Sequence, residues 1–225
     1  MPRIYTGTTV DIGGSKVKVK QVLFQGKSDV VPSMKNIVLS ARAWLGTTIP
    51  ELKMNPDQKV AAAFNSCFIS PPDTNAAMNT VRAVLQTVKN FVGGSFAVKV
   101  REDDDAYGYV VSYYQGRSHS RVTGVIQYDS DGDPIARRGE VHVDTATVRN
   151  NPVLATITLI HEACHKWGNL DDHDDRGYFN SKCTAYDAPG LTWQQALNNA
   201  DSYAVFCYKV MLSKFTSVTV NGKSL

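Results

Sequence analysis

The stretch Ile160-His161-Glu162-Ala163-Cys164-His165-Lys166-Trp167 sets His161 and His165 four residues apart, with Glu162 beside the first. On a helix, side chains at that spacing stack on one face with Cβ atoms about 5–6 Å apart, so two imidazoles can share one ion. Glu162 lies about 100° further round, where its carboxylate reaches a water on the ion rather than the ion itself. The H-E-x-x-H pattern therefore supplies two zinc ligands and a base. A catalytic zinc keeps three protein ligands and one open position. It lowers the pKa of a bound water to near 7, after which Glu162 can accept the proton and pass it to a leaving amine.

These residues need a helix to carry them. Asn151-Pro152 is a helix start, Val153, Leu154, Ile157, Leu159 and Ile160 give it an apolar body, and Gly168 is expected to end it. Cys164, three residues after His161, reads as a small filler against the core, with a ligand role as the alternative. The third ligand is sought in the segment after the helix, which holds Asp171, Asp172, His173, Asp174 and Asp175.

The chain has 225 residues, 43% of them hydrophobic, enough for one large domain or one and a half. We divide it into a hairpin and helical scaffold over 1–95 and a catalytic region over 96–225, expected to form one continuous domain. The net charge of +3 is mild and the basic residues are scattered. Alternating Lys16, Lys18 and Lys20 suggest a solvated strand face, so no nucleic-acid partner is expected. No apolar run reaches the length of a membrane span. The first fourteen residues lack the basic-then-apolar plan of a secretory signal. The expectation is a mature or excised domain, or one exported without a cleaved signal. The four cysteines, Cys67, Cys164, Cys183 and Cys207, have no C-x-x-C spacing, which argues against a zinc knuckle and leaves their pairing open.

The elements around the helix follow from periodicity. Gly13-Gly14 between Val10, Ile12 and Val17, Val19 reads as a hairpin. Met34, Ile37, Val38, Ala41, Trp44 and Leu45 make an amphipathic helix closed by Gly46. A second helix opens at Pro56-Asp57 and runs through Phe68; a third, capped by Asp73 or Thr74, ends at Gly93-Gly94. Strands are expected over 96–100, 109–114, 122–128 and 140–144. The acidic stretch 129–133 puts its glycine fourth, where a calcium loop needs it sixth, and strands flank it, so it reads as a tight turn; 102–105 reads as a solvated loop. If strand 140–144 is an exposed edge beside the metal, His142 and Val143 would bind an extended peptide by strand addition.

Gly168-Asn169-Leu170-Asp171-Asp172 and Tyr178, following H-E-x-x-H, resemble the aspzincins, the deuterolysin and peptidyl-Lys metalloendopeptidase family, whose pattern continues G-T-x-x-D-x-x-Y with Asp as third ligand. The glycine register nominates Asp172, with Asn169 in place of Thr. Tyr178 lies six residues beyond it rather than three, and alignment on the tyrosine nominates Asp175. A third register, H-E-x-x-H-x-x-G-x-x-D, ends on Asp171 and looks like the snapalysin branch of the metzincins. Asn199-Ala200-Asp201-Ser202-Tyr203 resembles the N-A-D-S-Y segment on the last long aspzincin helix and tips the balance to Asp172, with Asp175, Asp171, Asp174 and His173 as alternatives. The resemblance spans 144–206.

What it implies is an α+β, zincin-like metallopeptidase with N-terminal helices, a mixed sheet with a substrate-binding edge strand, the H-E-x-x-H helix and a long C-terminal helix opening at Thr192. The cofactor is one catalytic Zn2+ and the partner a polypeptide substrate. Tyr178 would donate a hydrogen bond to the developing oxyanion. Asp201 would face the cleft and bind substrate, or else stand as the acceptor behind a histidine ligand. Ala204 occupies the position where the lysine-specific branch is expected to carry an acidic partner, so strict lysine specificity is not expected. The expected function is a zinc endopeptidase, secreted or delivered into a target cell as a toxin or effector, with secretion machinery or an inhibitor or immunity protein as further partners. The alternatives are a zinc amidase acting on cell-wall peptides and a non-catalytic zinc-binding module.

Overall fold

The computed structural model describes residues 3–24, 29–102, 107–110 and 140–225, an α+β arrangement of helices and one mixed sheet. It opens with the hairpin β1 (Arg3–Ile12) and β2 (Ser15–Phe24). Gly13 and Gly14 both take positive φ, +60° and +83°, as a two-residue turn between right-twisted strands requires. Asp57 and Asp73 each accept a backbone N–H at the start of α2 (Gln58–Phe68) and α3 (Thr74–Gly93).

The helix α1 (Val31–Glu51) runs past Gly46, where an end was expected. A glycine inside a helix costs only about 1 kcal/mol, and continuing buries Thr48 and Ile49, whose apolar burial outweighs it. Arg42 on α1 ties three elements together: its guanidinium donates to Ile12 O at 2.6 Å, Val92 O at 2.9 Å and Gly94 O at 3.2 Å.

Three strands complete the sheet: β3 (Phe96–Arg101), β4 (Gly108–Val110) and β5 (Val141–Asp144), in the order β1-β2-β3-β5-β4. β2 pairs with β3 and β3 with β5 in parallel, while β1 and β4 are antiparallel to their neighbours. The inward valines Val17, Val19, Val98, Val100, Val141 and Val143 are all buried. β5 is thus an interior strand, and the expectation of an edge at 140–144 is corrected: among the described residues β4 is the last strand on that side. Periodicity marks a strand but not its neighbours, which are set by pairing distant in sequence. The expected strand at 122–128, the continuation at 111–114, the acidic turn at 129–133 and the loop at 103–105 lie outside the described residues.

Asp144 ends β5 and immediately caps α4 (Thr145–Asn150), its carboxylate accepting from Thr147 N at 2.7 Å. α5 (Pro152–Gly168), capped by Asn151, crosses the centre of the molecule, with α1, α3, β5 and α7 (Ala200–Lys214) packed around it. Gly168 is the last residue of α5 rather than its left-handed stop; that role falls to Asn169 at φ 54°. Gly168 meets α3 instead, where a Cβ would lie 3.0 Å from Val84 Cγ1. The expected long last helix is two: α6 (Trp193–Leu197), with a Thr192/Gln195 capping box, and α7.

Residues of both sequence halves share the sheet and one hydrophobic cluster running from Ile12 to Val220. The four cysteines are free and buried. Burial pushes the Cys67, Cys183 and Cys207 thiols up to about 12 and Cys164 well above its usual value, leaving them protonated fillers. Among the described residues no helix is long and apolar enough to cross a membrane.

Candidate metal centre

α5 carries His161 and His165 on one face, buried, their Nε2 atoms 2.9 Å apart. The segment beyond Asn169 turns back so that Asp172 meets both rings: Oδ1 lies 3.5 Å from His161 Nε2 and Oδ2 lies 3.1 Å from His165 Nε2. Among the described residues His161, His165 and Asp172 form the group whose ligand atoms all lie within 4.8 Å of one another. Ligand bonds of about 2.0–2.2 Å at tetrahedral angles would place such atoms about 3.3–3.6 Å apart, close to the observed spacing.

The hydrogen bonds behind the rings set what each front atom offers. His165 Nδ1 lies 2.8 Å from Leu170 O, a carbonyl that can only accept, so Nδ1 carries the proton and Nε2 a lone pair. His161 Nδ1 faces Asp201 Oδ1 at 3.3 Å, which fixes the same tautomer. When both rings are neutral, two lone pairs and a carboxylate therefore converge on one point. Asp172 Oδ1 is buried without a hydrogen-bond partner. Such a group calls for a cation, and two imidazoles with one carboxylate suit a borderline ion such as Zn2+.

The charges point the same way. Burial opposes a charge on His161, yet Asp201, Glu162 and Asp172 outweigh it and push the ring up to about 9 in the metal-free chain. Burial likewise opposes ionisation of Asp172, but His165, His161 and the Tyr178 hydroxyl hold it well below the usual carboxylate range.

Glu162 is buried beside the group, Oε1 standing 3.9 Å from His161 Nε2. Tyr178 is 41% exposed, stacks on the His161 ring with centroids 6.1 Å apart, and donates from its hydroxyl to Asp172 Oδ2 at 3.1 Å. Burial, then Asp172, raises its pKa, so the phenol stays a donor. The group opens into a cleft of about 990 Å³ whose wall includes Tyr107, Gly108, Val110, Asn180, Ser181 and Asp187.

The expected site residues divide as follows. His161, Glu162, His165, Asp172 and Tyr178 come together. Asp175 lines the cleft but lies outside the ligand group, as do Asp171, His173 and Asp174. Asp201 stands behind His161, Oδ1 3.3 Å from its Nδ1 and Oδ2 accepting from Phe179 N at 2.7 Å, and it also lines the cleft, so the structure is compatible with both of its expected places. His142 and Val143 are buried on the interior strand β5 and do not line the cleft, a second correction.

Several residues escaped the sequence reading. A Cβ on Gly108 would lie 2.4 Å from Thr158 Cγ2 and 3.2 Å from Glu162 Cγ, so only glycine lets β4 pass this closely over α5. Its signal was a glycine immediately before an expected strand. Asp171 and Asn199 form a parallel bridge, Asp171 N donating to Asn198 O at 2.8 Å and Ala200 N to Asp171 O at 2.9 Å. That bridge explains the break between α6 and α7, since the backbone there serves the loop that delivers Asp172. No protein-family model and no curated protein matches the chain.

Proposed function

We propose that the chain is a zinc-dependent endopeptidase of the aspzincin kind, with a zincin-like active site. The observation that carries this is the meeting of His161 Nε2, His165 Nε2 and Asp172, with the ring tautomers set from behind and Asp172 Oδ1 left without a hydrogen-bond partner. The resemblance in 161–178 and 199–203 adds to it. His161, His165 and Asp172 would hold the ion, which when bound acts as a Lewis acid and makes a water acidic enough to lose its proton near neutral pH. Glu162, buried beside His161 Nε2, accepts that proton on its carboxylate and returns it to the departing amine. Tyr178 holds Asp172 in place and stands at the cleft with a phenol that keeps its proton, ready to donate to a developing oxyanion. β4, on the cleft wall and set close to Glu162 by Gly108, offers the track along which an extended peptide lies.

Glu162→Gln tests the reading: it should keep one zinc per chain by mass spectrometry and lose cleavage of a casein-like substrate. Full cleavage by that variant overturns the proposed role of Glu162. Zinc without cleavage in the unaltered chain overturns the peptidase reading in favour of a binding module, unless cell-wall peptides are hydrolysed, which assigns the amidase.

A further inference from the structure

We infer that Asn199 is the positioning residue of the metal centre, setting Asp172 and Tyr178 from one point at the start of α7; this rests on reading His161, His165 and Asp172 as the metal ligands. Asn199 is fully buried and occupies the N-cap position of α7, yet its side chain makes no capping bond. Asparagine is among the best capping residues, so this side chain is turned to another task. Its Nδ2 donates to Gly177 O at 2.7 Å and to Ser202 Oγ at 2.9 Å.

Gly177 is the residue before Tyr178, and a Cβ there would fall 2.6 Å from Asn199 Oδ1, so the contact has no slack. The backbone on either side of Asn199 holds the other half of the loop, through Asn198 O and Ala200 N on Asp171, the residue before Asp172. Asp172 and Tyr178 are six residues apart, but each sits next to a residue hydrogen-bonded to 198–200. A long acidic loop is thereby ordered before an ion arrives, and the Tyr178–Asp172 hydrogen bond closes the arrangement.

Asn199→Asp separates positioning from mere support of the helix. The two residues have one shape and cap helices equally well, but aspartate turns an acceptor toward Gly177 O. As a positioning residue, Asn199→Asp should bind Zn2+ roughly 10–100-fold more weakly in a chelator competition and alter the Co2+ absorption spectrum, beside the lower Tm that a buried carboxylate facing Gly177 O brings to the metal-free chain. Gly177→Ala, which presses on the contact from the other side, should do the same. The double variant should lose little more than the worse single, because the two act through one contact. Zinc affinity within about twofold of the unaltered chain, with an unchanged Co2+ spectrum, overturns the assignment. An unaltered chain that takes up no zinc overturns the metal centre itself, and this assignment with it. Should Asn199→Asp not fold, Gly177→Ala decides by the same criterion.

Discussion

Asp201 Oδ1 stands 3.3 Å from His161 Nδ1 while its other oxygen accepts from Phe179 N, so one carboxylate on α7 orients a ring on α5 and pins the chain just after Tyr178. Asp201→Asn removes the charge and lets the amide present a donor to Nδ1, favouring the tautomer whose Nε2 carries the proton. Zinc affinity should fall roughly 10–100-fold, read by chelator competition. Unchanged affinity would show that Asp201 does not set the ring.

Proton competition gives a pH dependence. His161 in the metal-free chain is raised from 6.5 to about 9, so the protonated ring stabilises that state fully below about pH 6.5, and the contribution is lost as pH rises through about 9. An ion must displace this proton. Apparent zinc affinity should therefore climb by up to about tenfold per unit between about pH 6.5 and 9, then flatten. The check is a set of chelator competitions across that range, and a flat profile contradicts the charge balance described for the site.

Tyr178→Phe deletes a hydroxyl that donates to Asp172 and faces the cleft. Turnover should fall roughly 10²-fold or more, as when one oxyanion donor is lost, with zinc retained at one per chain. Loss of zinc together with activity would mean that the phenol serves only to hold Asp172.

Gly108→Ala would set a methyl 2.4 Å from Thr158 Cγ2 and 2.8 Å from His142 O. Backbone on one side and a packed side chain on the other leave β4 to move away from Glu162. Thermal unfolding should report a loss of about 1–3 kcal/mol, and peptide turnover should drop while zinc stays bound. A variant as stable and active as the unaltered chain would remove β4 from the account of the cleft.

What was legible in the sequence was what is local. The 161/165 pair, the caps Asp57, Asp73, Asn151 and Thr192, and the three N-terminal helices are written in spacings of three and four residues. Asp172 and Asp175 were harder to separate, because the choice depends on a bridge from Asp171 to Asn199 that no local spacing encodes. The same bridge splits the last helix. β5 read as an edge because alternation reports a strand and is silent on its neighbours, and the neighbour that covers it, β4, has only three of the described residues. Asp201 was placed on the right helix with both of its roles open, and it stands behind His161 Nδ1 and on the cleft wall together.

The most direct measurement is diffraction from zinc-soaked crystals on both sides of the zinc absorption edge. One anomalous peak is expected, bonded to His161 Nε2, His165 Nε2 and an Asp172 carboxylate oxygen, with Glu162 beside it and not bonded. An empty group, or a peak held by Asp175 in place of Asp172, would contradict it.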